Sequence, residues 1–424
     1  MTADIEIGSG RSFYRYYVAW TISGDLALEL NFTGVSWSMQ IRKAGTFQGS
    51  LIFESDERLA EAYWGTMPGK MSIYVTRNNV PVWGGFVSRR TYDPVTRQID
   101  VEATGFEAYA YRRTIWHTLA YDNTYDQYQV VRELMAIMQT DFSGLAVASD
   151  IATSHPDSAN LGITVDSRNS SKHQDSQTWL GYELTTFGDA IENFSNNLGG
   201  FEYNIEIGWN LAQDTFTKRL VFRDTPPSQL PDGDEYVGER PGLEENFFEY
   251  PGNIMTLGYD DTIDEAADRY FVTGKQPESA EVAEGEESVE EPTPRGVYEN
   301  EAYFSTQWPI FEAIESSEHS EVSLQETLNN YAQSYGQRVK PPIPAWNVTV
   351  NGGMNPHVGS YRVGDWCRFI VTDPFLSQAL ESTGTYTESL TKRIAQFTVD
   401  VPDQNQIPET VTLTLIDEWS DEGM

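Results

Sequence analysis

Residues 80–113 read VPVWGGFVSRRTYDPVTRQIDVEATGFEAYAYRR. Val80 to Tyr92 is rich in β-branched and aromatic residues, which suit a pleated surface. Pro81 offers no backbone N–H, so its strand is an edge or begins at a rim. Gly84-Gly85 predicts a bulge or a bend. Asp93-Pro94 opens a turn, and Ile99, Val101 and Ala103 then alternate with Asp100, Glu102 and Thr104. Upstream, Met71, Ile73 and Val75 of MSIYVTR share one face. Asn78-Asn79 then makes a two-residue turn, because Asn tolerates positive φ. The three strands form a meander with one wet face and one dry face. Their twist and bend predict a small barrel.

This ribbon gathers aromatic and basic residues in a chain with 64 acidic against 28 basic residues and a net charge of −36. Trp83, Phe86 and Tyr92 suit a core or an interface. Arg89, Arg90, Arg112 and Arg113 suit pairing with carboxylates, within the chain or on a neighbour. Trp83, Arg89, Arg90, Arg112 and Arg113 are therefore the candidate subunit-interface residues, since Trp, Tyr and Arg are enriched there. A solvated strand face with local ion pairs is the alternative.

At 424 residues the chain predicts two to four domains. A hydrophobic content of 39% with 11 Trp, 23 Tyr and 20 Phe is enough to fold. No apolar run approaches the ~20 residues of a membrane span. MTADIEIGSGRSFYRYY at the start has no basic region followed by an apolar stretch, so no secretory signal is expected. The acidic surface disfavours binding nucleic acid through its phosphates. It suits either a salt-rich setting, where screening relieves self-repulsion, or a surface that must not hold a passing polyanion. Cys367 is the sole cysteine, which excludes an intramolecular disulfide and a cysteine zinc cluster. Val363, Cys367, Phe369 and Val371 share a strand face, so the thiol is expected to be buried and structural.

Two helices follow the ribbon. Asp126 caps the first, with Gln129 three residues on and Val130, Leu134 and Met138 in a stripe. Thr186 caps the second, with Asp189 in its first turn and Phe187, Ile191, Phe194 and Leu198 as its apolar face. Gly199-Gly200 stops it. Residues 143–180 between them are a weakly periodic excursion, and a strand pair is expected at 201–223. Residues 275–296 hold seven glutamates between Glu278 and Glu291, flanked by prolines. That composition predicts a flexible acidic loop. Ser323 and Glu326 have capping-box spacing before Leu324, Leu328 and Tyr335, with Gly336 near the stop. After Pro341-Pro342 come YRVGDWCRFIVTD, RIAQFTVDVP and ETVTLTLID, all strand-like. The predicted fold is mainly β with α+β insertions: two small, separately closed β-barrel-like domains flanking α/β domains. The expected boundaries are 1–116 for the N-terminal barrel, 117–200 for a helical insertion and 201–274 for a β-rich segment. The acidic loop takes 275–297, a helical segment completing the middle 298–342, and the C-terminal barrel 343–424.

Signs of chemistry are few. His117, His155, His173, His319 and His357 show no metal-binding spacing, and no nucleotide or hydrolase signature occurs. GYDDTIDEAADRY (258–270) clusters five acids, as a calcium site would need, but the spacing matches no known loop, and a solvated helix face explains it equally well. No catalytic, cofactor-binding or metal residue is assigned, and no enzyme activity is expected.

Trp83-Gly84-Gly85, the basic residues after it, and an I-x-V-x-A-x-G-F-x-x-Y strand ending in Arg resemble the first barrel of tail-tip (baseplate) hub proteins, or minor tail proteins, of long-tailed viruses. YRVGDWCRF, RIAQFTVDVPDQ and ETVTLTLID resemble their last β domain. Together these blocks cover about 120 residues. The acidic loop at 275–296 and the lack of a fused cell-wall hydrolase depart from the pattern, so peptidoglycan cleavage is not implied. The resemblance implies a homotrimer with two barrels per copy, forming a pseudo-sixfold ring at the distal end of the virion tail. It implies the distal tail protein or tail-tube subunits, the tape-measure protein C-terminus and tail fibre or spike proteins as partners. DNA would pass through the channel without specific binding. The acidity and scarcity of lysine fit a virus of a salt-loving archaeon, with an actinobacterial phage as second choice. The alternative function is a β-rich carbohydrate-active enzyme or carbohydrate-binding virion protein acting on the host surface, with Trp209, Trp308 and Trp346 stacking on sugars.

Overall fold

The computed structural model describes residues 12–143, 154–174, 176–197, 199–210, 215–223, 240–262, 267–275, 294–300, 309–315, 322, 324–336, 343–376, 387–403 and 409–417. The first strands are β1 (Tyr14–Trp20), β2 (Leu26–Leu30), β3 (Thr33–Gln40) and β4 (Thr46–Ile52). Helix α1 (Asp56–Gly65) follows, then β5 (Met71–Arg77), β6 (Val80–Asp93) and β7 (Gln98–Gly105). They run in the order β3-β4-β7-β6-β5-β1-β2. The outermost strands, β2 and β3, are consecutive and joined only by Asn31 and Phe32. A connection that short brings the two edges together, so the array curls into a barrel. Asn78 and Asn79 take φ of 50° and 65°, as a primed hairpin turn requires.

The register corrects one local expectation. Gly84 and Gly85 are not the bulge; they pair in register with Tyr74 and Ile73. The ladder slips between Trp83 and Pro81 on one side of β6 and between Val87 and Arg89 on the other. The glycines serve close approach instead. A Cβ on Gly84 would lie 2.7 Å from the Tyr74 ring, and one on Gly85 2.2 Å from the Thr104 carbonyl oxygen.

A 3-10 turn, Phe106–Arg112, leads into the middle of the chain. There lie β8 (Leu119–Tyr121), α2 (Gln127–Thr140), α3 (Pro156–Ala159), β9 (Ile163–Val165), β10 (Gln177–Trp179), α4 (Phe187–Asn196), β11 (Glu202–Asn210) and β12 (Thr215–Arg223). Both predicted caps are present. Asp126 Oδ1 accepts from Tyr128 N at 2.9 Å, and Thr186 Oγ1 accepts from Asp189 N at 3.0 Å. The apolar faces of α2 and α4 meet the β11–β12 pair in a single core that includes Leu134, Met138, Ile191, Phe194 and Phe222. Leu198 lies outside the described residues. Tyr74 of the barrel stacks on Phe216 at 4.1 Å, so this unit docks directly on β5.

The C-terminal strands are β13 (Phe247–Tyr250) and β14 (Ile254–Thr262). An insertion follows with β15 (Arg269–Thr273), β16 (Arg295–Glu299), β17 (Glu312–Glu315) and α5 (Gln325–Gly336). The barrel resumes with β18 (Ile343–Asn351), β19 (Trp366–Thr372), β20 (Thr387–Val401) and β21 (Thr410–Asp417). Their order is β13-β19-β20-β21-β18-β14. Here too the outermost strands are consecutive, joined by 251–253, and the array curls in the same way. The insertion is a small sheet, β16-β15-β17, with α5 packed through Val272, Leu328 and Ala332. The acidic run 276–293 and the proposed cap Ser323 lie outside the described residues. Residues 258–262, expected as part of a helix face, are strand β14, antiparallel to β18.

The two barrels are not separate sheets. Thr387–Arg393 of β20 pair with β19, and Gln396–Val401, on the same edge, pair with β3. At 15 residues β20 spans about 50 Å, long enough to serve both. One 13-stranded sheet results, with Trp37, Phe397 and Val399 in a shared core. Among the described residues no helix is long and apolar enough to cross a membrane.

Candidate functional site

The ribbon residues divide by environment. Trp83 is 2% exposed; its Nε1 donates to the Ser38 carbonyl at 3.0 Å, and its ring lies 5.6 Å from Phe47. It fastens β6 to β3 and is removed from the surface, so it is a core anchor. Arg90 sits beyond the β6 bulge. It donates to the Tyr63 carbonyl and, at 3.2 Å, to Thr66 Oγ1, and covers the Tyr63 ring at 4.4 Å. A cation at the C-terminal end of α1 complements the helix dipole. Arg113 pairs with Asp141, which also accepts from His155 N at 2.6 Å. Burial pushes the Asp141 carboxyl up, but these bonds outweigh it and hold it low. Arg89 meets Glu102 at 3.3 Å, with both side chains exposed, a contact worth about 0–1 kcal/mol. Arg112 is exposed and makes no ion pair among the described residues. Arg89 and Arg112 are thus the two of the five left open to a neighbour.

The strongest polar contacts lie elsewhere, where the barrels and the middle unit meet. Arg393 of β20 forks onto Glu202 of β11, with Nη1 to Oε1 at 3.1 Å and both side chains buried. Burial pushes the Glu202 carboxyl up, yet Arg393 and Arg42 outweigh it and hold it below the usual range. Arg77 of β5 bonds Glu409, just before β21, at 2.7 Å through Nε. Arg223 of β12 bonds Asp365, just before β19, at 2.9 Å. Arg362 reaches Glu206 of β11 at 2.6 Å. Each pair ties two of the three bodies together. The partners stand 191, 332 and 142 residues apart for Arg393, Arg77 and Arg223, so no local motif announces them.

A cavity of about 70 Å³ lies at the junction and one of about 20 Å³ beside Gly84 and Glu107. Small-molecule sites hold ~300 Å³ or more. Burial raises the Glu107 carboxyl to about 7, but its Oε1 is occupied by Ile205 N at 2.8 Å. Among the described residues no three His, Cys, Asp or Glu side chains are grouped to hold a metal; His319 lies outside them. Cys367 is fully buried, and burial pushes its thiol up. Trp346 is 4% exposed and core. Trp209 is half-buried, 4.3 Å from Phe216 and 5.4 Å from Tyr17. Neither offers an open sugar platform; Trp308 lies outside the described residues.

Two curled β arrays spliced through one long strand, with an α/β unit clamped against both, define a mainly β, multidomain tail-protein fold. The 43 kDa tail protein of prophage MuSo2 from Shewanella oneidensis matches it with a TM-score of 0.57 and 11% identity, covering 95% of this chain and 98% of that one. The tail protein from Neisseria meningitidis MC58 matches with a TM-score of 0.53 and 10% identity, over 95% and 97% of the two chains. No protein-family model matches the sequence. No curated protein is similar to it in sequence.

Proposed function

We propose that the chain is the structural hub of a virus tail tip. Three copies form a ring that joins the tail tube or distal tail protein to the fibres or spike below. The ring lines or closes the channel through which DNA leaves, with the tape-measure C-terminus above it. The observation that carries this reading is the pair of barrels locked into one body. Two similar barrels per copy, repeated three times, present six quasi-equivalent units to a sixfold tube. The end-to-end match with two tail proteins supports it. The surplus of 36 negative charges suits a wall along which phosphates slide. Arg89 and Arg112 are the ribbon residues offered to a neighbouring copy. Trp346 is buried and Trp209 half-buried, so neither of these two favours the carbohydrate reading.

Electron microscopy of the purified chain, with light scattering for mass, tests the assignment. A threefold ring with an acidic central hole is expected in high salt, dissociating in low salt as screening is lost. A monomer at every salt concentration, or a ring with a basic lumen, refutes it.

A further inference from the structure

The antiparallel order β4-β7-β6-β5-β1 brings the ends of β4, β6 and β1 and the start of β5 to one end of the N-terminal barrel. Helix α1 joins β4 to β5 at that end, with Ala62 in the barrel core. Its outward residues Tyr63 and Trp64 are 51% and 58% exposed, and their rings meet edge to face at 5.4 Å. Tyr92 of β6 is 46% exposed, and Trp20, which finishes β1, is 39% exposed. Two of these rings carry a cation. Arg90 lies 4.4 Å from the Tyr63 ring centre and Lys70 Nζ 5.1 Å from that of Trp20. Among the described residues neither cation makes an ion pair.

Four exposed aromatic side chains at one barrel end leave open an apolar area on the order of a few hundred Å², the size at which a patch marks a contact. Tyr63 is also held in place, because Arg90 donates to its carbonyl, so little ring freedom is lost on binding. The charge of the chain selects the occupant. Copies carrying −36 each repel one another, so a contact between them needs attraction that does not depend on net charge. Buried rings supply it. Arg90 and Lys70 then find carboxylates on an acidic copy, which has them in surplus. Glu61 and Glu57, one and two turns before Trp64 on α1, form a polar rim whose repulsion salt screens.

We infer that this end of the N-terminal barrel is the surface by which one copy of the chain grips an acidic surface of the next, with Tyr63 and Trp64 as the anchors. The inference rests on the threefold assembly proposed above and gives that assembly its contact. A patch that meets a different surface on its neighbour is a head-to-tail contact, the kind from which a closed ring of three is built.

Sedimentation of the full chain in high salt, over a range of concentrations, is the test. Trp64→Ser should weaken association about thirtyfold at each contact, as the loss of an interface anchor does. Tyr182→Ser, which removes a 79% exposed ring from the middle unit, should leave association unchanged. No effect of Trp64→Ser, or an equal effect of Tyr182→Ser, overturns the inference. Hydroxyl-radical footprinting of the wild-type chain reads the same contact without a substitution. Tyr63 and Trp64 should be protected in the associated state relative to the dilute one. Association that leaves both rings reactive assigns the patch to some other partner and overturns this inference alone. A wild-type chain that never associates refutes the threefold assembly and this contact with it.

Discussion

Lys218 is the residue whose replacement tests the packing most sharply. It occupies an inward position on β12, between Phe216 and Leu220, and is 3% exposed. Its Nζ reaches the Thr21 carbonyl only at 3.5 Å and lies 4.8 Å from the Phe106 ring centre. Burial lowers its pKa from 10.5 to about 8. At 1.36 kcal/mol per tenfold, that drop corresponds to about 3 kcal/mol of destabilisation while the amine is charged. Lys218→Met keeps the unbranched length and removes the charge. Allowing for the lost cation–π contact, the variant should be more stable at pH 7 by about 1–3 kcal/mol. The sign of the pH dependence follows from the lowered value. Below about pH 8 both folded and unfolded chains carry the proton, and the full penalty applies. Between about 8 and 10.5 the folded chain loses it first, so the wild-type protein gains stability and the advantage of methionine shrinks. Urea unfolding of both proteins at pH 7 and pH 10, in the same salt, measures this as a difference from which the other titrating groups cancel. A methionine variant less stable than wild type at pH 7, or an advantage equal at both pH values, refutes the reasoning.

Glu202→Ala should cost about 3–5 kcal/mol, because it strands Arg393 in the interior; denaturant unfolding should show the loss, and a cost near that of a surface pair would contradict the clamp. Gly84→Ala drives a Cβ to within 2.7 Å of the Tyr74 ring and 3.0 Å of Ile207. It should cost about 1–3 kcal/mol, read as a lower Tm, and a neutral result would mean that β6 and the middle unit yield there.

Much of the local structure is legible in the sequence. The Asn78-Asn79 turn needs only residues that accept positive φ. The Asp126 and Thr186 caps need only a side-chain oxygen before an apolar stripe, and the β7 alternation needs only period two. Trp83 reads equally as core or interface because an aromatic beside glycines serves both; its burial follows from Ser38 and Phe47 on strands far from it in sequence. Gly84-Gly85 reads as a bulge or a bend because glycine permits either, while the close contacts that require glycine there, the Tyr74 ring and the Thr104 carbonyl, lie on the flanking strands.

The residues alone determined that this chain builds mainly β structure, starts its helices where it does, buries its one thiol and carries a strongly acidic charge. These depend on neighbours within a few positions or on summed composition. Tertiary structure alone decided that β20 continues from one barrel into the next, and that Arg77, Arg223 and Arg393 are clamps between bodies. Strand pairing and buried charge pairing act between groups more than a hundred residues apart, and no local pattern encodes which distant partner will be there.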